Sequence, residues 1–147
     1  MRQVIHTIIP ALLFFITACN DSENSVFNHY WQNENVEVFH YAREGESQYF
    51  MRQREGSEIQ MEALVIGRIL IAGGCTLLEG PFDKVTVIWP VDFRMEEVNH
   101  AFRIRGNDVI IESGDSLRLS GGFYSKIPDS YCSGSFWLVG SEIEVLD

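Results

Sequence analysis

The chain has 147 residues, of which 46% are hydrophobic, and its formal net charge is −10 at pH 7. This length predicts one domain, and the hydrophobic content is sufficient for a core, which excludes a disordered chain. The charge argues against a nucleic-acid-binding protein, because phosphate binding needs clustered Lys and Arg.

The N-terminal segment has the pattern of a signal peptide. Arg2 supplies a positive charge, and residues 4–18 form a mostly apolar run that Pro10 interrupts. The run is shorter than the ~20 residues that a membrane-spanning helix needs. Residues 1–18 are therefore predicted to be a signal peptide outside the folded domain.

The apolar run ends in Ile16-Thr17-Ala18-Cys19, which resembles the cleavage box of bacterial lipoproteins. The resemblance implies that Cys19 is lipidated and begins a mature protein that is anchored to a membrane of the cell envelope, facing the periplasm or the exterior. An ordinary secretory signal is the alternative. The usual inner-membrane retention signal is an Asp directly after the cysteine; Asp21 lies one position later, which favours the outer membrane in a Gram-negative cell.

Residues 19–35 are predicted to be a flexible tether, because the Asn, Ser, Asp and Glu that dominate them bury little apolar surface. Phe27, Tyr30 and Trp31 interrupt this composition. We expect them to dock on the domain rather than on an external partner, since exposed aromatic patches are uncommon on monomers. The domain itself is expected to span residues 36–147.

Two cysteines remain once Cys19 is assigned to the lipid. Export would place Cys75 and Cys132 in an oxidising compartment, where a pair of thiols normally forms a disulfide. Two free or metal-binding cysteines are the alternative. The chain has no CxxC or His-x-x-x-His spacing to favour a metal.

Short strand patterns begin at residue 36. Residues 36–41 and 48–52 are predicted to form a hairpin, with a helix over residues 49–54 as the alternative. Residues 59–71 are apolar at both sets of alternate positions, which predicts a central strand covered on both faces. Gly67 in its middle indicates a bulge or a tight bend.

The rest of the chain continues in the same way. The predicted strands are residues 75–78, 85–89, 101–104, 109–112, 117–119, 135–139 and 143–146, with residues 91–98 as an edge strand or one helical turn. Adjacent Ile110 and Ile111 indicate cover on both faces of their strand. Gly121-Gly122 is interpreted as a hairpin turn. Turns at intervals of eight to ten residues predict an all-β fold, an OB-like or open β-barrel of about six to eight strands.

Half of the chain, from residue 67 to residue 132, resembles a pattern found in small exported bacterial proteins, many of them lipoproteins. The matching residues are Gly67-x-Ile69, Gly74-Cys75-x-Leu77, Trp89-Pro90, Gly114-Asp115-x-Leu117-x-Leu119-x-Gly121-Gly122 and Cys132. The resemblance implies a compact β domain with a Cys75–Cys132 bridge. It implies no catalytic residue, because the group offers none to carry over.

Residues that carry chemistry form no catalytic pattern. His29, His40 and His100 have no ligand spacing, and no nucleophile elbow or phosphate-binding glycine loop occurs. The carboxylates Asp92, Glu96, Glu97, Asp108, Glu112 and Asp115 are interpreted as strand-end solubility devices rather than a glycosidase pair. We therefore expect no enzyme activity, no metal and no cofactor.

Aromatic residues are the best candidates for a contact surface. Trp89 and Trp137 alternate with apolar residues and are expected to fill the core. Phe123 and Tyr124 follow the predicted turn and, with Trp31, are the candidate surface for an envelope protein or a glycan.

These observations predict a lipid-anchored, non-catalytic binding or accessory module of the cell envelope. A periplasmic inhibitor of a hydrolase such as lysozyme is the first alternative, since an acidic surface suits a basic enzyme. A cell-wall hydrolase that uses surface carboxylates is the second. Neither the ligand nor the oligomeric state follows from the sequence.

Overall fold

A computed structural model describes residues 26–43, 45–56, 59–71, 73–81, 83–128 and 131–147, without the side chains of residues 26–30 and 43. The predicted signal peptide, Cys19 and the first part of the predicted tether lie outside these residues. Within the described residues the fold is all-β, as predicted, with no helix.

Eleven strands are present in the described part of the chain. They are β1 (Val26–Gln32), β2 (Val36–Arg43), β3 (Glu46–Gln53), β4 (Ala63–Ile71), β5 (Gly74–Gly80), β6 (Asp83–Trp89), β7 (Arg94–Val98), β8 (Ala101–Gly106), β9 (Val109–Ile111), β10 (Ser116–Tyr124) and β11 (Ser135–Leu146). Eight of them form one mixed sheet, and β7, β8 and β9 form a second, small antiparallel sheet.

Five strands of the large sheet close on themselves in the order β5-β4-β10-β11-β6, with β6 returning to β5. Four of the five pairings are antiparallel, and the pairing of β6 with β11 is parallel. A closed ring of five strands in this Greek-key order is an OB-like barrel. The predicted fold class is therefore confirmed, but the described residues form eleven strands instead of six to eight, because six further strands are added to this ring.

The first three strands form an antiparallel meander beside the barrel. β2 and β3 pair as the predicted hairpin, so the helical alternative is wrong. β3 enters between β5 and β6 where they diverge: Gln48 pairs with Gly74, and Met51 pairs with Ile88. β1 begins at Val26, inside the range predicted as tether, because its backbone pairs with β2 whatever the polarity of its side chains.

Two hydrophobic clusters lie on opposite faces of the barrel strands. Adjacent residues of one strand belong to different clusters, as strand alternation requires: Trp89 and Val139 to the interior cluster, Ile88 and Leu138 to the outer cluster. The interior cluster fills the ring and includes the predicted core residue Trp137. The outer cluster covers the opposite face with Val36, Val38, Met51, Tyr124, Ile127, Cys132 and their neighbours.

β4 is covered on one face only along its first half. Leu64 and Ile66 are 58% and 55% exposed, whereas Val65 and Ile69 are buried. The prediction of two covered faces is wrong here because the outer cluster extends over β5, β6 and β11, not over this part of β4. The same prediction is wrong for Ile110, which is exposed beside buried Ile111.

Gly121 and Gly122 lie inside β10 and form no hairpin turn. Gly121 has φ of 149°, and a Cβ on it would clash with the carbonyl oxygen of Leu138 in β11. The register between β10 and β11 shifts at this point. Glycine is therefore needed for a bulge with a close strand approach. The two final strands that were predicted separately are one continuous strand, β11.

The small sheet packs one face on the interior cluster through Phe93, Met95, Ile104 and Ile111. Residues 94–98 form strand β7, so of the two alternatives for residues 91–98 the strand is correct and the helical turn is wrong. The β7–β8 turn is formed by Asn99 and His100, both with positive φ, as in the turns that connect tight hairpins. This turn brings His100 to one end of the molecule, where a cleft lies.

Candidate binding clefts

A disulfide joins Cys75 at the start of β5 to Cys132 in the loop between β10 and β11. The two Cα atoms are 6.1 Å apart and the sequence separation is 57 residues. The predicted pairing is thus present. In the chain-entropy model, closing a loop of this length stabilises the folded state by about 4 kcal/mol. The bond holds the β10–β11 loop against the outer face of β5.

A cleft of about 590 Å³ lies beside this bond and is called the disulfide groove. It is bounded by the β4–β5 turn at Gly73 and Gly74, by the outer face of β5 and β6, and by residues 131–134 of the β10–β11 loop. Leu77 and Thr86 are cross-strand partners on its wall. In OB-like barrels the face of the second and third strands, with the first and fourth loops, binds ligands. The disulfide groove occupies that position.

Thr86 is the polar residue of the groove with an unmet hydrogen-bonding capacity. Its side chain is 1% exposed, and its Oγ1 has no hydrogen-bond partner among the described residues. A buried hydroxyl without a partner costs free energy. Lys84, at the groove edge, pairs with Glu79 at 3.3 Å, and both side chains are about half exposed.

The rest of this barrel face is covered by the chain itself. Ile88 and Phe136 are buried in the outer cluster under Val38 and Met51. Tyr131 stands between the groove and the N-terminal strands, with its ring centroid 5.6 Å from that of Trp31. The cluster fills most of the face, and the disulfide groove is a part of the face that is left open to a ligand.

A second cleft of about 550 Å³ is called the hairpin cleft. It is bounded by the start of β3, the β4–β5 turn, the β7–β8 turn and residues 112–113 after β9. Gln48, 2% exposed, lines it, and so do the rim residues Glu46, His100 and Glu112. Gly73 contributes to both clefts, so they lie on either side of one turn.

Two of the three aromatic residues proposed as a contact surface, Phe123 and Tyr124, line a cleft of about 460 Å³ with Ser125, Ile127 and residues 134–136, and Trp31 does not line it. Phe123 is exposed, and its ring packs edge-on against Trp137 at 5.3 Å. Tyr124 is buried in the outer cluster, which contradicts the expectation of an exposed pair, because consecutive strand residues face opposite ways. Trp31 packs on Tyr131 instead, as expected of an aromatic residue that docks on the domain.

The carboxylates considered for catalysis line neither cleft, apart from Glu112 at the rim of the hairpin cleft. Glu96 lies between Arg94 at 2.9 Å and Arg103 at 3.1 Å. The hydrogen bond from Arg94, assisted by Arg103, lowers the pKa of Glu96. Asp115 accepts a hydrogen bond from the backbone N–H of Glu112 at 2.8 Å. Both carboxylates therefore have structural partners.

Two of the three histidines that follow the predicted signal peptide can be placed. His40 stacks on Tyr49 with ring centroids 4.9 Å apart, and His100 lies in the β7–β8 turn. The side chain of His29 lies outside the described part. No group of three His, Cys, Asp or Glu side chains that could hold a metal ion occurs among the described residues. In the same residues, no helix has the length and apolar content to cross a bilayer.

Sequence reasoning missed Gln48 and Thr86. Thr is a common strand residue, and Gln48 stands at the start of a predicted strand, so neither is unusual in one dimension. The one available signal was position: each is a polar residue within a strand whose apolar neighbours are buried. Comparisons with protein-family models, curated proteins and solved structures found no match.

Proposed function

We propose that the chain is a lipid-anchored, non-catalytic binding module of the cell envelope that binds an oligosaccharide in the disulfide groove. The observation that carries the proposal is the open groove at the ligand position of an OB-like barrel, with the buried Thr86 hydroxyl on its wall. The fold alone would not specify a function, so the proposal rests on the groove.

The envelope location is supported by two features of the chain. The Ile16-Thr17-Ala18-Cys19 motif resembles a lipoprotein cleavage box, and the Cys75–Cys132 disulfide is of a kind that persists in oxidising compartments. Lipid attached at Cys19 would hold the barrel close to the membrane, where cell-wall glycans are the abundant ligands.

The groove has the chemistry that a sugar chain needs. Tyr131 and Leu77 offer apolar contact to sugar ring faces, while Lys84, Asp83 and the Thr86 hydroxyl offer donors and acceptors to sugar hydroxyls. In OB-like barrels this face binds oligonucleotides or oligosaccharides, and the net charge of −10 disfavours the phosphates of an oligonucleotide.

Binding is tested with the purified full chain in detergent, titrated calorimetrically with cell-wall oligosaccharides. Thr86→Val removes the hydroxyl at nearly constant volume, and we expect an affinity loss of about fivefold, because a hydrogen bond contributes roughly 1 kcal/mol. Thr76→Val is the matched control: Thr76 is equally buried, and its hydroxyl also has no partner among the described residues, but it does not line the groove. Equal losses in both variants would contradict the site.

Lipid anchoring is tested separately in cells. We expect mass spectrometry of the mature protein to find an acylated N-terminal Cys19, and Cys19→Ala to leave the signal peptide attached. An unacylated mature chain would support an ordinary secretory signal instead. Inhibition of a hydrolase such as lysozyme, the first alternative, is tested in the same preparation by an activity assay.

A further inference from the structure

The hairpin cleft is separate from the disulfide groove and has its own buried polar group. Gln48, the first buried residue of β3, pairs with Tyr41 in β2 and with Gly74 in β5, so its backbone is fixed from both sides. Gln48 lines the cleft and is 2% exposed, and its Nε2 has no hydrogen-bond partner among the described residues. A buried amide donor without an acceptor costs free energy. An acceptor atom in the cleft would remove that cost.

The rim of the cleft carries negative charge. Glu46 and Glu112 are exposed on two different segments that border it, and neither has an ion-pair partner among the described residues. Arg103 also lines the cleft, but its Nε and Nη2 are 3.3 and 3.1 Å from Oε2 of Glu96. Glu96 is shared with Arg94, so it compensates Arg103 only in part, but the two rim carboxylates outnumber the remaining positive charge. The cleft therefore favours a cation over an anion.

The wall between the buried amide and the rim is apolar. Ile71 is buried at the end of β4, and Phe102 is partly buried, with its ring 6.0 Å from that of Tyr41. A ligand that reaches from the rim to Gln48 therefore passes a hydrocarbon surface. An inorganic cation would leave this surface and the amide donor unused.

We propose that the hairpin cleft binds a small organic amine that also carries a hydroxyl or carbonyl acceptor. The ammonium group lies at the rim, near Glu46 and Glu112, and the carbon skeleton packs against Ile71 and Phe102. The acceptor receives a hydrogen bond from Nε2 of Gln48. Amino sugars and amino acids share this chemistry. The site is distinct from the oligosaccharide groove, since among the described residues the two clefts share Gly73 alone.

The experiment titrates the full chain with glucosamine and, in a second arm, with lysine. N-Acetylglucosamine keeps the sugar skeleton and an acceptor but has no ammonium group. We expect glucosamine to bind about fivefold more tightly than N-acetylglucosamine, because an exposed or partly buried ion pair contributes up to roughly 1 kcal/mol. This preference should weaken with added NaCl, which screens exposed charges. The amine that binds more tightly shows whether the ligand of the cleft is an amino sugar or an amino acid. Equal or tighter binding of N-acetylglucosamine overturns the proposal.

Two sets of variants locate the site. Glu46→Gln with Glu112→Gln removes the rim charge at exposed positions and should abolish the preference for glucosamine, while Glu62→Gln with Glu142→Gln, exposed carboxylates outside both clefts, should keep it. Gln48→Leu should weaken binding of both amines. If Gln48→Leu does not fold, the rim variant decides alone. If the variant with Glu46→Gln and Glu112→Gln keeps its preference for glucosamine, the proposed site is wrong. The result for oligosaccharide binding in Thr86→Val does not affect this conclusion, because Thr86 lines the other cleft.

Discussion

The two hydrophobic clusters of this domain are built from the same barrel strands but by different means. The interior cluster is enclosed by a ring of strands whose backbone hydrogen bonds close on themselves. The outer cluster combines segments that are distant in the chain: β2 and β3, the start of β5, and the β10–β11 loop. One disulfide crosses this second cluster. A closed sheet needs no further restraint, whereas a face covered by separate segments does.

The largest effect is expected from removing that restraint. Cys75→Ala with Cys132→Ala should lower the free energy of unfolding by about 4 kcal/mol, measured by chemical denaturation. Amide exchange should rise most in β1–β3 and in residues 125–134, because these segments lose the cross-link. The wild-type chain in reducing agent is the control. A uniform rise that includes β4 and β10 would show that the two clusters unfold as one unit.

A matched pair of smaller changes compares the clusters directly. Ile69→Val lies in the interior cluster and Ile88→Val in the outer cluster, and both isoleucines are fully buried. Each should cost about 1 kcal/mol in the disulfide-bonded chain. In the chain without the disulfide, Ile88→Val should cost less and Ile69→Val should cost the same. Equal costs in both backgrounds would mean that the bond does not order the outer cluster.

The smallest effect is expected at the small sheet, whose exposed face carries ion pairs instead of a cluster. Hydrogen bonds from Arg94 and Arg103 lower the pKa of Glu96. The resulting stabilisation is present above the unfolded-state pKa of a glutamate and is lost as the pH falls through the lower folded-state pKa. Glu96→Gln should therefore cost roughly 0.5 kcal/mol near neutral pH and nothing in strong acid. A pH-independent difference in unfolding free energy would assign the effect to packing.

The strand sequence from residue 36 could be predicted because alternation and turn residues are local signals. Residues 36–52 form the predicted hairpin, and Trp89 and Trp137 are buried as expected. The errors occur where a local signal has two meanings. Gly121-Gly122 is typical of a turn, but a bulge inside a strand needs glycine for the same reason of backbone conformation. Leu64 and Ile66 predict a covered face, but cover depends on which segment packs there.

The clefts were less predictable than the fold. Phe123 and Tyr124 were expected to be exposed together, but Tyr124 is buried, because β10 continues through Gly121-Gly122 without a turn and adjacent strand residues face opposite ways. Thr86 and Gln48 are ordinary residues in the sequence. They become candidate binding residues only in the folded chain, because burial removes their polar side-chain atoms from water without supplying a hydrogen-bond partner among the described residues.

The sequence by itself indicated the all-β class, because periodicity is a property of the chain alone. It predicted the pairing of Cys75 with Cys132 on the expectation that Cys19, in a motif that resembles a lipoprotein cleavage box, is lipidated. The tertiary structure decided that β6 and β11 run parallel to close the ring, which face of the barrel is covered, and where clefts remain. Those features depend on contacts between segments far apart in the chain, and the residues of one segment do not record which other segment will cover them.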